Sequence, residues 1–210
     1  MIKFIFLFIV FIIIILFAWR LLSTRYILPC PSWLGWMVEL DNPFSKINRA
    51  ATIIENSDLK PGMSVIDIGC GPGRLTIPLA KKVGPTGKVL AMDIQTAMLD
   101  KVKNKSIAAN LTNINFLHGG IGDGKLEQNE FDRAMLVTVL GEIPNQEKAL
   151  KEIYNGLKGN GTLSVTEIIF DPHFQRQSTI LKLAKATGFK MKNKFGNSIA
   201  FTIILEKTTL

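Results

Sequence analysis

The chain has 210 residues, 47% of them hydrophobic and 20% charged, with a formal net charge of +8. That length holds one α/β domain of roughly 150–200 residues but not two. The apolar content excludes a disordered chain, and 17 Gly, 9 Pro and 2 Cys exclude collagen-like and disulfide-scaffold classes.

Phe4 to Trp19 are sixteen consecutive apolar residues, flanked by Lys3 and Arg20 and extended by Ile2, Leu21 and Leu22. At about 1.5 Å per residue, a helix of that length covers most of a hydrocarbon core about 30 Å thick, and the two flanking bases can snorkel. The competing reading is a cleaved signal peptide, but the stretch exceeds the usual 7–15 or so residues and no small-x-small site follows. The run therefore reads as an uncleaved transmembrane anchor over 1–22. A juxtamembrane connector over 23–42 and a folded domain over 43–210 follow it. Trp33 and Trp36 stand three apart in the connector, which fits a short helix on the bilayer interface or one packed on the domain.

Residues 1–40 hold Lys3, Arg20, Arg25 and Glu39, so the rest of the chain carries +6. That excess suits anionic lipid headgroups, nucleic acid or a plain solvated lysine surface. The expected partner is the lipid bilayer, not nucleic acid. Cys30 and Cys70 have no metal-ligand spacing, so no metal is expected.

Ser45–Asn56 reads as a helix with Ile47, Ala50, Ala51 and Ile54 on one face. From Lys60 onward strands and helices alternate. Strands are predicted at 64–69, 88–93, 114–118, 131–139 and 161–169, with helices at 74–82, 96–109, 146–157 and 175–187 between or after them. Strands at 190–195 and 199–206, joined at Gly196-Asn197, form a hairpin. Alternating β and α units imply a parallel sheet with helices on both faces.

The strongest chemical signal is Val65-Ile66-Asp67-Ile68-Gly69-Cys70-Gly71-Pro72-Gly73, where the first strand gives way to a helix. A dinucleotide fingerprint would need glycine at position 74, which is Arg74. Asp67, two residues before the first glycine, would favour a cationic ligand over a pyrophosphate. With its acid-x-Gly-x-Gly-x-Gly pattern, the chain resembles the class I S-adenosylmethionine-dependent methyltransferases over about residues 43–210.

The resemblance implies a Rossmann-like, seven-stranded, mostly parallel sheet with a terminal antiparallel hairpin, here preceded by one transmembrane helix. It also implies S-adenosylmethionine as cofactor. Asp67, Gly69, Cys70, Gly71 and Gly73 would receive its methionine portion, and Asp93, ending the second strand, its ribose hydroxyls. Thr138, at the end of strand four, would border the cofactor. The family's acid near the adenine falls on Gly119-Gly120, a departure, and Asp123 in Gly122-Asp123-Gly124 is the substitute candidate; its sequence is also turn chemistry. Leu59-Lys60-Pro61-Gly62-Met63 and Leu157-Lys158-Gly159-Asn160-Gly161 look like the branch that includes ubiquinone/menaquinone C-methyltransferases and bacterial phospholipid N-methyltransferases.

The acceptor should lie beyond strand four, at 138–145. The polar-Pro-Pro-aromatic tetrapeptide of the amino-methylating enzymes acting on DNA adenine or glutamine amide is absent there, and Asp41-Asn42-Pro43-Phe44 is only a partial look-alike. Two cysteines are too few for arsenite chemistry. Glu142 is the candidate catalytic group, able to accept a proton or hold an amine cation; a helix-terminal acid is the plainer reading. His118 reads as structural and His173 as part of a lid-like loop. The expected function is a membrane-anchored methyltransferase whose acceptor is a lipid-soluble small molecule, with the catalytic domain cytoplasmic. A protein lysine methyltransferase and a non-catalytic cofactor-binding scaffold are the alternatives. The oligomeric state is not legible in the sequence.

Overall fold

The structure is a computed structural model that describes residues 3–8, 10–12, 14–15, 18, 30–39 and 45–208. Seven strands form one sheet: β1 (Ser64–Ile68), β2 (Lys88–Asp93), β3 (Ile114–His118), β4 (Phe131–Val137), β5 (Leu157–Ile168), β6 (Phe189–Gly196) and β7 (Ala200–Lys207). Their order is β3-β2-β1-β4-β5-β7-β6. The first five run parallel, and β7 inserts antiparallel between β5 and β6. The Gly196-Asn197 corner is held by the Asn197 carboxamide oxygen, which accepts from the amides of Ile199 and Ala200.

The helices are α1 (Gly35–Glu39), α2 (Ala50–Asn56), α3 (Thr76–Val83), α4 (Thr96–Ala108), α5 (Gln146–Gly156) and α6 (Gln177–Thr187). Two-residue alternation along the strands sorts the core onto two faces. Val65, Val89 and Met135 pack with Leu79 and Val102 of α3 and α4. Ile66, Ile68, Leu136 and Phe201 pack with Leu150 and Ile180 of α5 and α6. Strand order departs in opposite directions from β1 and β4, which opens a crevice at their carboxyl ends, where an open α/β sheet binds ligands.

The predicted elements are present with shifted boundaries. The helix predicted over 45–56 is interrupted at Arg49, whose φ of −75° and ψ of 139° are extended. A 3-10 turn, Lys46–Asn48, precedes the break. The interruption re-phases the helix, so its buried side chains are Ala50 and Ile53, while Ala51 is exposed. β4 stops at Val137 because Thr138 takes a φ of 55°, and β5 starts earlier than predicted, at Leu157.

The described part of the N-terminal run is helical. Among the described residues no helix is long and apolar enough to cross a membrane. The remainder of the expected anchor lies outside the described residues, as does Asp41-Asn42-Pro43-Phe44. The connector packs on the domain through Gly35, where a Cβ would meet Lys101 and Met98. Trp33 and Trp36 point outward, 73% and 60% exposed.

Arg133 of β4 ties the start of the domain to the sheet. Its buried guanidinium donates to the carbonyls of Ser57 (2.9 Å), Asp58 (3.0 Å) and Asp132 (2.8 Å). Arg133→Ala leaves these acceptors without partners and should lower the free energy of unfolding by about 2–3 kcal/mol, measured by urea titration.

Candidate functional site

The glycine loop at the end of β1 is shaped by the end of β2. The amides of Gly69 and Cys70 both donate to the Met92 carbonyl, at 2.8 and 3.0 Å. The Gly71 amide donates to Asp93 Oδ2 at 2.9 Å, and the Gln95 amide to Oδ1 at 2.9 Å. Gly69, Gly71 and Gly73 all have positive φ. A Cβ at Gly69 would run into Val139, and one at Gly73 would press on Val102, so glycine meets both a backbone and a space requirement at these two positions. Cys70 is buried with its thiol turned to the Gly71 carbonyl; burial pushes that thiol up.

Asp67 is buried beneath the loop on the α3 side and accepts a hydrogen bond from Thr76 Oγ1 at 2.6 Å. Burial pushes its carboxyl up to about 6; the Thr76 hydroxyl and Arg74 oppose the shift and Asp93 adds to it. Burial also raises Asp93, against the amides it accepts. Of the remaining candidates, Asp123 sits on the turn after β3, where its carboxylate accepts from the Gly120 amide at 3.1 Å and pairs with Lys125 at 3.7 Å. Thr138 Oγ1 donates to the Val137 carbonyl, so its hydroxyl is directed at its own strand.

Glu142 lies in a 3-10 turn, Leu140–Glu142, just past β4. Burial pushes its carboxyl up to about 8, and Asp171 and Asp93 add to the shift. His173 Nδ1 stands 3.6 Å from Glu142 Oε1 and 4.0 Å from Asp171 Oδ1. The sequence placed His173 in a loop after β5, and the fold lays that loop directly on the turn carrying Glu142. A Cβ on Gly141 would overlap the His173 carbonyl. His118, by contrast, faces the Ile94 carbonyl at 3.0 Å and joins the ends of β2 and β3.

Two further features escaped the sequence reading, and it left a third open. Glu167, near the end of β5, is 1% exposed; its Oε2 accepts from the Gln175 amide at 3.1 Å, and its Oε1 has no partner among the described residues. Burial pushes this carboxyl up to about 8, opposed by the Gln175 amide and reinforced by Asp171 and Glu142. Within Gly161–Ile169 the acid was simply one of several alternating strand residues. Ile94, beside Asp93, leaves 51% of its surface exposed, an apolar platform next to a carboxylate. The third is the connector. Gln95 Nε2 donates to the Cys30 carbonyl, Lys101 to the Ser32 carbonyl, and Lys105 both pairs with Glu39 (2.6 Å) and donates to the Pro72 carbonyl (2.7 Å). Residues 30–39 are thereby strapped to α4 and the glycine loop.

The model of the methyltransferase domain family matches residues 59–202, more than half of the chain. This chain belongs to that family. Demethylmenaquinone methyltransferase of Staphylococcus aureus is 33% identical over 115 residues, 55% of this chain and 47% of the relative. The match thus spans about half the length of these curated relatives. A SAM-dependent methyltransferase from Aquifex aeolicus superimposes with a TM-score of 0.75 at 20% identity, covering 85% of this chain and 99% of that one. A SAM-dependent methyltransferase from Methanosarcina mazei gives 0.61 at 19% identity, covering 74% and 97%. The cyclase SpnF gives 0.67 at 14%, covering 77% and 80%, so one fold serves more than one chemistry.

The chain carries a domain of the methyltransferase family, and S-adenosylmethionine is the cofactor that its sequence resemblance implies. The residues present fit that molecule: Asp67, Asp93 and Glu142 place carboxyl groups around the carboxyl ends of β1, β2 and β4, a setting that favours a ligand bearing sulfonium and ammonium charges.

Asp93→Ala should weaken calorimetric S-adenosylmethionine binding by about 1–3 kcal/mol, the loss of hydrogen bonds to a charged group. Glu142 and Glu167 move from an ordinary 4.5 to about 8. Between those values the folded protein binds more protons than the unfolded chain, so the free energy of unfolding falls as pH rises across the window. Glu167→Gln should flatten that slope in urea unfolding measured from acid to mildly alkaline pH.

Proposed function

We propose that this methyltransferase is held at a membrane by residues 1–22 and methylates a lipid-soluble small molecule, a quinone precursor. The observation that carries the reading is the N-terminal run. Phe4, Ile5, Phe6, Leu7, Phe8, Phe11, Ile12, Ile14 and Ile15 are all exposed, and their burial in lipid is favourable by about 25 cal/mol per Å². Anchoring concentrates the enzyme where such acceptors reside. Similarity to a demethylmenaquinone methyltransferase over about half its length supports a quinone precursor. An aminophospholipid is the second candidate, favoured by Glu142, whose one basic neighbour within ion-pair distance among the described residues is His173.

In this reading the loop Gly69, Cys70, Gly71 and Gly73, with Asp67 beneath it and Thr138 opposite, holds the methionine end of the cofactor. Asp93 takes the ribose hydroxyls, and Asp123 closes the side of the base beside Ile94. When bound, S-adenosylmethionine supplies a methyl group already activated on a sulfonium. The chain's tasks are orientation, exclusion of water and proton uptake. The acceptor gives up one proton as it gains the methyl group, and Glu142 receives it. The cofactor is made in the cytosol, so the domain faces the cytoplasm.

Radiolabelled S-adenosylmethionine given to isolated membranes should place label in solvent-extractable lipid. Deletion of residues 1–27 should abolish most of it while cofactor binding persists. Label in protein would favour the lysine reading, and no turnover the scaffold. Glu142→Gln should lower kcat more than cofactor affinity and remove the rise in rate on the alkaline side of neutrality.

A further inference from the structure

A turn leads from β5 into the loop bearing His173, and its tip is apolar. Phe170 is 71% exposed, Ile169 39% and Ile199 49%. The three belong to one surface, because the Ile169 amide donates to the Ile199 carbonyl at 2.8 Å and thus joins the β5 end to the β6–β7 corner. The turn itself is closed, with the Asp171 amide on the Ile168 carbonyl and the His173 amide on Asp171 Oδ1. Phe170 is therefore held outward while its neighbour Asp171 faces the site.

The chain that follows this tip is basic. Residues 169–199 contain Arg176, Lys182, Lys185, Lys190, Lys192 and Lys194 against the single acid Asp171. Lys194 Nζ lies 3.3 Å from Gln177 Oε1, and Gln177 Nε2 donates to the Asn197 carbonyl, which puts that ammonium beside the corner carrying Ile199. Lysines on an edge strand also deter strand pairing, which accounts for β6 but not for a phenylalanine left in water. An apolar tip with Lys194 beside it, at the end of a lysine-rich edge strand, matches the boundary of an anionic bilayer, where the ring enters the acyl region and the lysines meet headgroups.

The direction of the chain agrees. Cys30, where the described chain resumes after the apolar run, has its thiol raised by burial and by the charges of Glu142 and Asp171. Cys30 thus lies within electrostatic range of Asp171, the residue that follows Phe170.

We propose that Ile169, Phe170 and Ile199, with the lysines of β6, form a second membrane contact that docks the mouth of the acceptor site onto an anionic bilayer. The proposal rests on the membrane reading above. A lipid-soluble acceptor then passes from the bilayer to Glu142 without crossing water.

The test uses the full chain with vesicles of phosphatidylcholine alone or with about one third phosphatidylglycerol. Flotation reports whether the chain associates, and amide hydrogen exchange reports on peptides covering 168–173 and 196–200. The expected result is association with both vesicle types and slower exchange of those two peptides on phosphatidylglycerol vesicles. Phe170→Ser with Ile199→Ser should reverse that protection. Replacing Lys190, Lys192 and Lys194 by Gln should weaken it, by about fivefold per lysine for charges at an anionic surface. Association with unchanged exchange at the tip overturns this proposal and leaves the anchor standing. Failure to float on either vesicle overturns both.

Discussion

Everything at the site hangs on the end of β2. Parallel pairing sets Ile68 beside Met92, and the Met92 carbonyl and Asp93 carboxylate then accept three successive odd-shaped amides from Gly69, Cys70 and Gly71. A glycine-rich turn loses more conformational freedom on ordering than any other sequence, so it needs such partners to keep one shape. Asp93 thus shapes the loop while its carboxylate also holds the Gln95 amide. A change at this carboxylate alters the geometry of the loop as well as a contact.

The second constraint is electrostatic. Asp67, Glu142 and Glu167 are all removed from water, and burial raises each of them. A fold selected for stability alone would place apolar groups there, because an unpaired buried carboxylate is expensive. Perturbed carboxyl groups gathered in one crevice are typical of sites that bind charge or move protons. Gly141 makes the arrangement possible, since only a residue without a side chain admits the His173 backbone against the turn.

The connector relates the two ends of the molecule. Lys105 holds Glu39 and the Pro72 carbonyl at once, so residues 30–39 share a lysine with the glycine loop.

The sequence by itself determined the strands, their alternation with helices, the glycine loop and Asp93. These are local: two-residue and 3.6-residue periodicity, and glycines at fixed offsets from an acid, are written along a single stretch of chain. It also marked Glu142, which lies a short step past β4. It did not reveal Glu167 or Gly141 as the seat of the His173 loop, it left the connector open between the bilayer interface and the domain, and it drew the helix over 45–56 straight through Arg49. The first two depend on packing beyond their own element. Glu167 matters because of what the loop at 171–175 lays over it, and Gly141 because of a carbonyl more than thirty residues away. A carboxylate's acidity is set by the water it loses, and only the packing of β4, β5 and their loops decides how much that is.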